Sequence, residues 1–189
     1  MFVQKMTKIK VLLVVLLLVF SNVSSFFVSV PTGNVMVTYH MRVLQNETSG
    51  AGLNFFNAIT STYQIVDTTS QKDRIPMIKC VSKDKQEVTF PGIEVWNQLP
   101  ESQVYKVLKT FEKKYNNPPV PYDTALIFEP VTNFIKETCS EYTGEQLRTD
   151  QYKHINEWVK NYLQDFQKNR PELNGDDTGL IILKVFVDI

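Results

Sequence analysis

Two thiols, two imidazoles and one adjacent pair of carboxylates are the residues whose chemistry deserves the first test. Cys80 and Cys139 are the only cysteines of the chain, and His40 and His154 the only histidines. A nucleophilic cysteine needs a base beside its thiol. A structural zinc site needs about four Cys or His ligands at short, regular spacings. Neither pattern occurs. The cysteines admit two readings: a disulfide if the chain enters an oxidising compartment, or two small buried apolar residues. His40 falls on the polar face of a strand-like run, and His154 stands beside Lys153 and Asn156 on a helix-like stretch. Both read as solvated surface groups. Asp176-Asp177 lies in a polar stretch and reads as a turn. Gly50-Ala51-Gly52 lacks the Gly-Lys-Ser/Thr that would complete a phosphate loop. No catalytic residue, metal site or cofactor is therefore expected, and the chain does not read as an enzyme. One modification motif stands in an accessible setting: Asn46-Glu47-Thr48, an N-glycosylation acceptor expected in a polar loop. A second, Asn22-Val23-Ser24, adjoins an apolar run where modification is not expected.

The elements that must carry these residues begin with that apolar run. Lys5, Lys8 and Lys10 precede Val11 to Phe20, which is wholly aliphatic or aromatic. Positive charge is retained on the cytoplasmic side, so the remainder of the chain is expected in a lumen. One reading is a cleaved signal peptide, with Val23 and Ser25 as the small residues before the cut. The other is a retained signal anchor over residues 1–25, with a membrane segment at about 9–30; a span needs roughly 20 residues. The chain has 189 residues, 20 basic and 20 acidic side chains, and no net formal charge. That balance argues against a nucleic-acid binder, which needs a cationic excess for phosphate contacts.

Periodicity places the rest. Val35, Val37, Tyr39, Met41 and Val43 alternate with Met36, Thr38, His40 and Arg42, the period of a half-buried strand. Phe26 and Phe27 read either as lipid-interface aromatics or as the start of a first strand. Further strands are expected over Ser61–Val66, Arg74–Val81 and Glu87–Trp96, with a bulge or bend at Pro91-Gly92. Pro100 suits a first helical position, and Val104, Val107, Leu108, Phe111 and Tyr115 then share one face. A second helical region is expected from Thr124 to Glu141, with Pro130 as its start or a kink. Thr143 and Gln146 have capping-box spacing. Tyr152, Ile155, Trp158, Val159, Tyr162, Leu163 and Phe166 form a third stripe, read as core. Ile181, Leu183, Val185, Val187 and Ile189 form the apolar face of a largely buried last strand. Strands, then helices, then a strand imply an α+β domain over 26–189, with helices packed on a mixed or antiparallel sheet.

Ile93-Glu94-Val95-Trp96-Asn97-Gln98-Leu99-Pro100-Glu101-Ser102 closely resembles a segment of the erlins, the endoplasmic-reticulum branch of the stomatin–prohibitin–flotillin (SPFH, or band 7) family. Val30-Pro31-Thr32-Gly33-Asn34-Val35, Gly50-Ala51-Gly52-Leu53, Arg74 to Cys80, Asp123 to Phe128, Phe134 to Cys139, Tyr142-Thr143 and Leu180 to Ile189 resemble erlin or band 7 segments in the same order. The resemblance implies an SPFH fold behind a retained N-terminal transmembrane helix, in a single-pass type II protein of the endoplasmic-reticulum membrane with a lumenal domain. It implies a scaffold that binds membrane clients, inositol trisphosphate receptors among them, and links them to a membrane ubiquitin ligase for degradation. Cholesterol-rich membrane is the family's setting. The family continues into a coiled coil past this domain, whereas this sequence stops at Ile189, which reads either as a truncated relative or partial gene product or as a chain that assembles through partners. The large assemblies of the family are expected to need a longer form or longer SPFH proteins, as homo- or hetero-oligomers. The alternative is a cleaved, soluble lumenal or secreted binding module.

Overall fold

The structure, a computed structural model of the full chain, describes residues 27–115, 118–168 and 177–187. The proposed anchor over 1–25, Asn22 and Ile189 lie outside these residues. The chain divides into two compact units, Met1–Ile65 and Val66–Ile189.

In the first unit, β1 (Phe27–Val30) pairs antiparallel with β4 (Gly52–Phe55). β2 (Asn34–His40) lies between β3 (Val43–Ser49) and β5 (Ser61–Asp67) in a three-stranded sheet. The alternation over Val35 to Val43 therefore does not belong to one strand. Met41 and Arg42 take positive φ angles of 49° and 70° and turn β2 back into β3. Two consecutive left-handed residues make the tight turn whose twist suits a hairpin. Glycine or asparagine would advertise such a turn; methionine and arginine do not. Val35, Met36 and Val37 are all buried, so both faces of β2 are covered there, and its register with β3 shifts between Val37 and Tyr39. The polar stretch after Asn46 is not a loop either. Asn46 stands on β3, an edge strand, and only Gly50 and Ala51 separate β3 from β4.

Phe27–Val30 is thus a strand and not the end of a membrane segment reaching residue 30. Among the described residues no helix is long and apolar enough to cross a membrane.

In the second unit the run from Arg74 to Val81 breaks at Pro76-Met77 into β6 (Gln71–Ile75) and β7 (Ile78–Val81). Pro91-Gly92 likewise separates β8 (Glu87–Phe90) from β9 (Ile93–Gln98). The two breaks sort the strands into different sheets: β7 pairs with β8, while β9 lies between β6 and β10 (Ile181–Val187), all antiparallel. Helix α1 (Glu101–Tyr115) starts one residue after Pro100 and buries Val104, Val107, Leu108 and Phe111. A π-helical turn over Thr124–Phe128 runs into α2 (Glu129–Glu141), with Pro130 in its first turn. Pro130 lacks the N–H that would continue the α-helical ladder backwards, and the wider turn accommodates it. Thr143 and Gln146 form the expected capping box at 3.0 and 3.3 Å, and the chain continues through a π-helical turn into α3 (Tyr152–Lys168). On α3, Ile155, Val159 and Leu163 are core, whereas Trp158, Tyr162 and Phe166 are only half-buried; the side chain of Tyr152 is outside what is described.

The last strand corrects the expected apolar face. Ile182 pairs with Asn97 and Lys184 with Trp96, so Leu183 is the extra residue of a bulge. A one-residue bulge moves the following side chains to the opposite face. Ile182, Val185 and Val187 are buried as a result, while Ile181 and Leu183 are exposed.

Candidate functional surfaces

The residues singled out for chemistry remain apart. His40 is exposed and its Nδ1 lies 3.3 Å from Ser61 Oγ. His154 is exposed with its ring 6.5 Å from that of Trp158. Asp177 closes a turn, its Oδ1 accepting from the Gly179 N–H at 2.7 Å. Among the described residues no three His, Cys, Asp or Glu side chains come together in a way that would hold a metal.

Cys80 and Cys139 do meet. They are joined as a disulfide, with Cα atoms 6.2 Å apart across a sequence separation of 59. The bond runs from the buried face of β7 to α2. A second tether lies close by in sequence. The β7–β8 turn places Asp84 Oδ1 2.5 Å from Ser82 Oγ and 2.9 Å from the Gly144 N–H, and the Lys83 N–H donates to Tyr142 O at 2.9 Å. The Ser82 hydroxyl, then the Gly144 amide, hold the Asp84 carboxyl below its ordinary value. Two attachments therefore fix the β7–β8 hairpin to the end of α2.

The segment Asn97 to Ser102 is a structural joint. Asn97 is 2% exposed on β9, and its Nδ2 donates to Asp73 Oδ2 on β6 at 2.6 Å. Gln98 Nε2 donates to Thr68 O at 3.0 Å, and Leu99 is buried where the chain turns into α1. Burial raises the Asp73 carboxyl above its ordinary value, the Asn97 amide lowers it, and Asp123 adds to the rise. Burial pushes the nearby Tyr122 phenol up to about 12. Asp73 accepts the Asn97 amide here, with Asp123 and the Tyr122 phenol nearby. This hydrogen bond locks β6 to β9.

Surface chemistry is more prominent than buried chemistry. Phe27 and Phe55 face one another across β1 and β4, with ring centroids 5.7 Å apart and an edge-to-face tilt. Phe55 and its strand neighbour Leu53 are 67% and 73% exposed. Asn46 is exposed. On the helices, Phe134 stacks on Tyr162 at 4.4 Å, and Tyr142 lies 6.0 Å from Trp158. The helical period marked Trp158, Tyr162 and Phe166 as apolar but did not separate their half-buried stripe from the core, because both stripes share the same repeat.

The model of the SPFH domain / Band 7 family matches residues 28–181, from β1 to the first residue of β10. The chain belongs to the SPFH domain / Band 7 family. This SPFH chain is 30% identical to Erlin-2-A of Xenopus laevis over 155 residues, which is 82% of the chain and 42% of that protein. It is 30% identical to Erlin of Caenorhabditis elegans over 142 residues, 75% of the chain and 43% of that protein. It is 26% identical to Erlin-1 of Homo sapiens over 155 residues, 82% of the chain and 41% of that protein. The chain is an erlin-like SPFH protein, and it spans about two-fifths of the length of the curated relatives it matches. The α+β expectation holds at the level of class, as several small sheets with helices.

Proposed function

We propose that this chain is a non-enzymatic, erlin-like scaffold of the endoplasmic-reticulum membrane, with its SPFH domain in the lumen. The observation that carries the reading is the similarity to erlins across both compact units. A lysine-flanked apolar run precedes β1 in sequence, and Phe27 of β1 with Leu53 and Phe55 of the paired β4 expose apolar surface, the residue types that suit a lipid interface. The Cys80–Cys139 bond suits an oxidising lumen. Asn46, exposed on an edge strand, is open to a glycosyltransferase. In this reading the domain joins homo- or hetero-oligomers with longer SPFH proteins. Many weak contacts on one membrane would then hold a client such as an inositol trisphosphate receptor and present it to a membrane ubiquitin ligase, with cholesterol in the surrounding bilayer.

One observation favours the second reading, a cleaved lumenal or secreted module. With Phe27–Val30 in a strand, the uncharged run available for a span is Val11 to Phe26, 16 residues. A span normally takes roughly 20. Carbonate extraction of membranes from cells expressing the full chain tests the two. Sedimentation with the membrane, together with glycosidase-sensitive mobility that Asn46→Gln abolishes, is the outcome expected of an anchored lumenal domain. A mature N-terminus at Phe26 and release into the soluble fraction would replace the anchor by a signal peptide.

A further inference from the structure

β10 is the outer strand of its three-stranded sheet. β9 lies on one side of β10, and among the described residues no strand lies on the other. A hollow of about 410 Å³ is lined by Asn156, Glu157 and Lys160 of α3 and by Lys184, Val185 and Phe186 of β10. Successive strand residues point to opposite faces of a sheet. Val185 is buried, whereas Lys184 and Phe186 are exposed. A hollow lined by all three residues therefore opens on the strand's edge, where backbone N–H and C=O groups project. Its volume falls within the roughly 300–1,000 Å³ of ligand clefts.

An open edge with exposed apolar side chains is a template for another strand, and proteins guard such edges with bulges and lysines. β10 has both devices, the bulge at Leu183 and the charge of Lys184, yet Ile181 and Phe186 are each still 46% exposed. The guard is selective. Lys160 and Lys184 outnumber Glu157 around the groove, so a strand bringing further positive charge is repelled and one bringing a carboxylate is attracted. A second β10 edge would bring its own Lys184 and is the wrong occupant.

We propose that this groove takes an extended segment of a partner polypeptide, which adds to β10 as a fourth strand beyond β9 and β6 and sets an Asp or Glu side chain between Lys160 and Lys184. Main-chain hydrogen bonds along β10 supply affinity, and the lysine pair with the Phe186 surface supplies selectivity. The proposal deepens the scaffold reading by naming where a partner is held, and rests on it only for the existence of such a partner.

The test is selection of a random displayed peptide library against the full chain in detergent, followed by hydrogen exchange with the enriched peptides made synthetically. Enriched peptides should alternate β-branched residues with Asp or Glu and slow exchange of the β10 amides. Their affinity should fall at least about tenfold for Lys160→Glu/Lys184→Glu, as removal of a close charge pair does. Peptides with Lys in place of the acid should regain affinity for that variant. Matching melting curves for wild type and variant keep a folding defect from imitating the loss. Failure to enrich acidic peptides, or binding that leaves β10 exchange unchanged, overturns the proposal. So does protection of β10 that grows with protein concentration without peptide, which would mark a second copy, or protection produced only by anionic phosphatidylserine vesicles. The membrane-extraction result bears on none of these readouts.

Discussion

The side-chain amide of Gln167 donates through Nε2 to the carbonyl oxygen of Leu126 at 2.8 Å. Leu126 is the residue four positions before Pro130, whose missing N–H would otherwise serve that carbonyl in an α-helix. The same amide accepts from Thr178 Oγ1 at 2.8 Å, and Thr178 Oγ1 in turn accepts from the Leu180 N–H at 3.1 Å. Gln167 is 2% exposed and Thr178 is fully buried. One chain of hydrogen bonds thus joins the π turn before α2, the end of α3 and the approach to β10.

Breaking this chain should be costly, because a buried carbonyl or hydroxyl loses its partner without gaining water. Gln167→Leu is expected to lower stability by about 1–3 kcal/mol. Thr178→Val should cost a similar amount, and the double variant less than the sum, since both remove the same link. Urea denaturation of the four proteins measures this; strict additivity would show the two residues to act separately.

Oxidised and reduced protein should differ in stability. A crosslink closing a loop with a separation of 59 restricts the unfolded chain, and such bonds typically contribute about 2–4 kcal/mol. Cys80→Ala/Cys139→Ala should melt like reduced wild type and below oxidised wild type. Alkylation without reductant should label no thiol in the folded wild type.

The pH dependence of stability should carry a signature of Asp73. Its folded pKa lies above the ordinary 3.8, so the folded state keeps the proton to higher pH than the unfolded chain. The contribution is full below the unfolded value and is lost as pH rises through the folded one. Asp73→Asn should therefore remove a downward component from the stability curve in the window just above pH 3.8. Asn97→Ala, which takes away the donor that lowers this pKa, should extend the window upward and cost about 1–3 kcal/mol. Titration of denaturation midpoints against pH reads both effects, and superimposable slopes for wild type and Asp73→Asn would rule out the assignment.

The Met41-Arg42 turn is a place where stability can be gained. Both residues hold left-handed φ angles, which glycine and asparagine adopt at less cost. Met41→Asn/Arg42→Gly is expected to raise stability by about 1 kcal/mol, the scale of such backbone matches. A drop in melting temperature would mean that the two native side chains make contacts worth more than the strain.

Local pattern in the sequence was enough for the helices. The face of α1, the capping box at Thr143 and the stripe of α3 follow from side-chain period and backbone donors within a few residues of one another. It was also enough to point to the family, through Asn97 to Ser102, although not to show that Asn97 works as a buried clasp on Asp73, a residue 24 positions away. What tertiary structure decided is whatever depends on partners distant in the chain. The fold of β2 onto β3 at Met41 was hidden because neither turn residue announces a left-handed backbone. Pairing with Asn97 and Trp96 on β9 set the bulge at Leu183, which exchanged the faces of β10 and left Ile181 and Leu183 outside. The meeting of Cys80 and Cys139 depended on packing β7 against α2. Side-chain period records which residues share a face of one element, whereas register, edges and crosslinks are set by the neighbour that packing brings alongside.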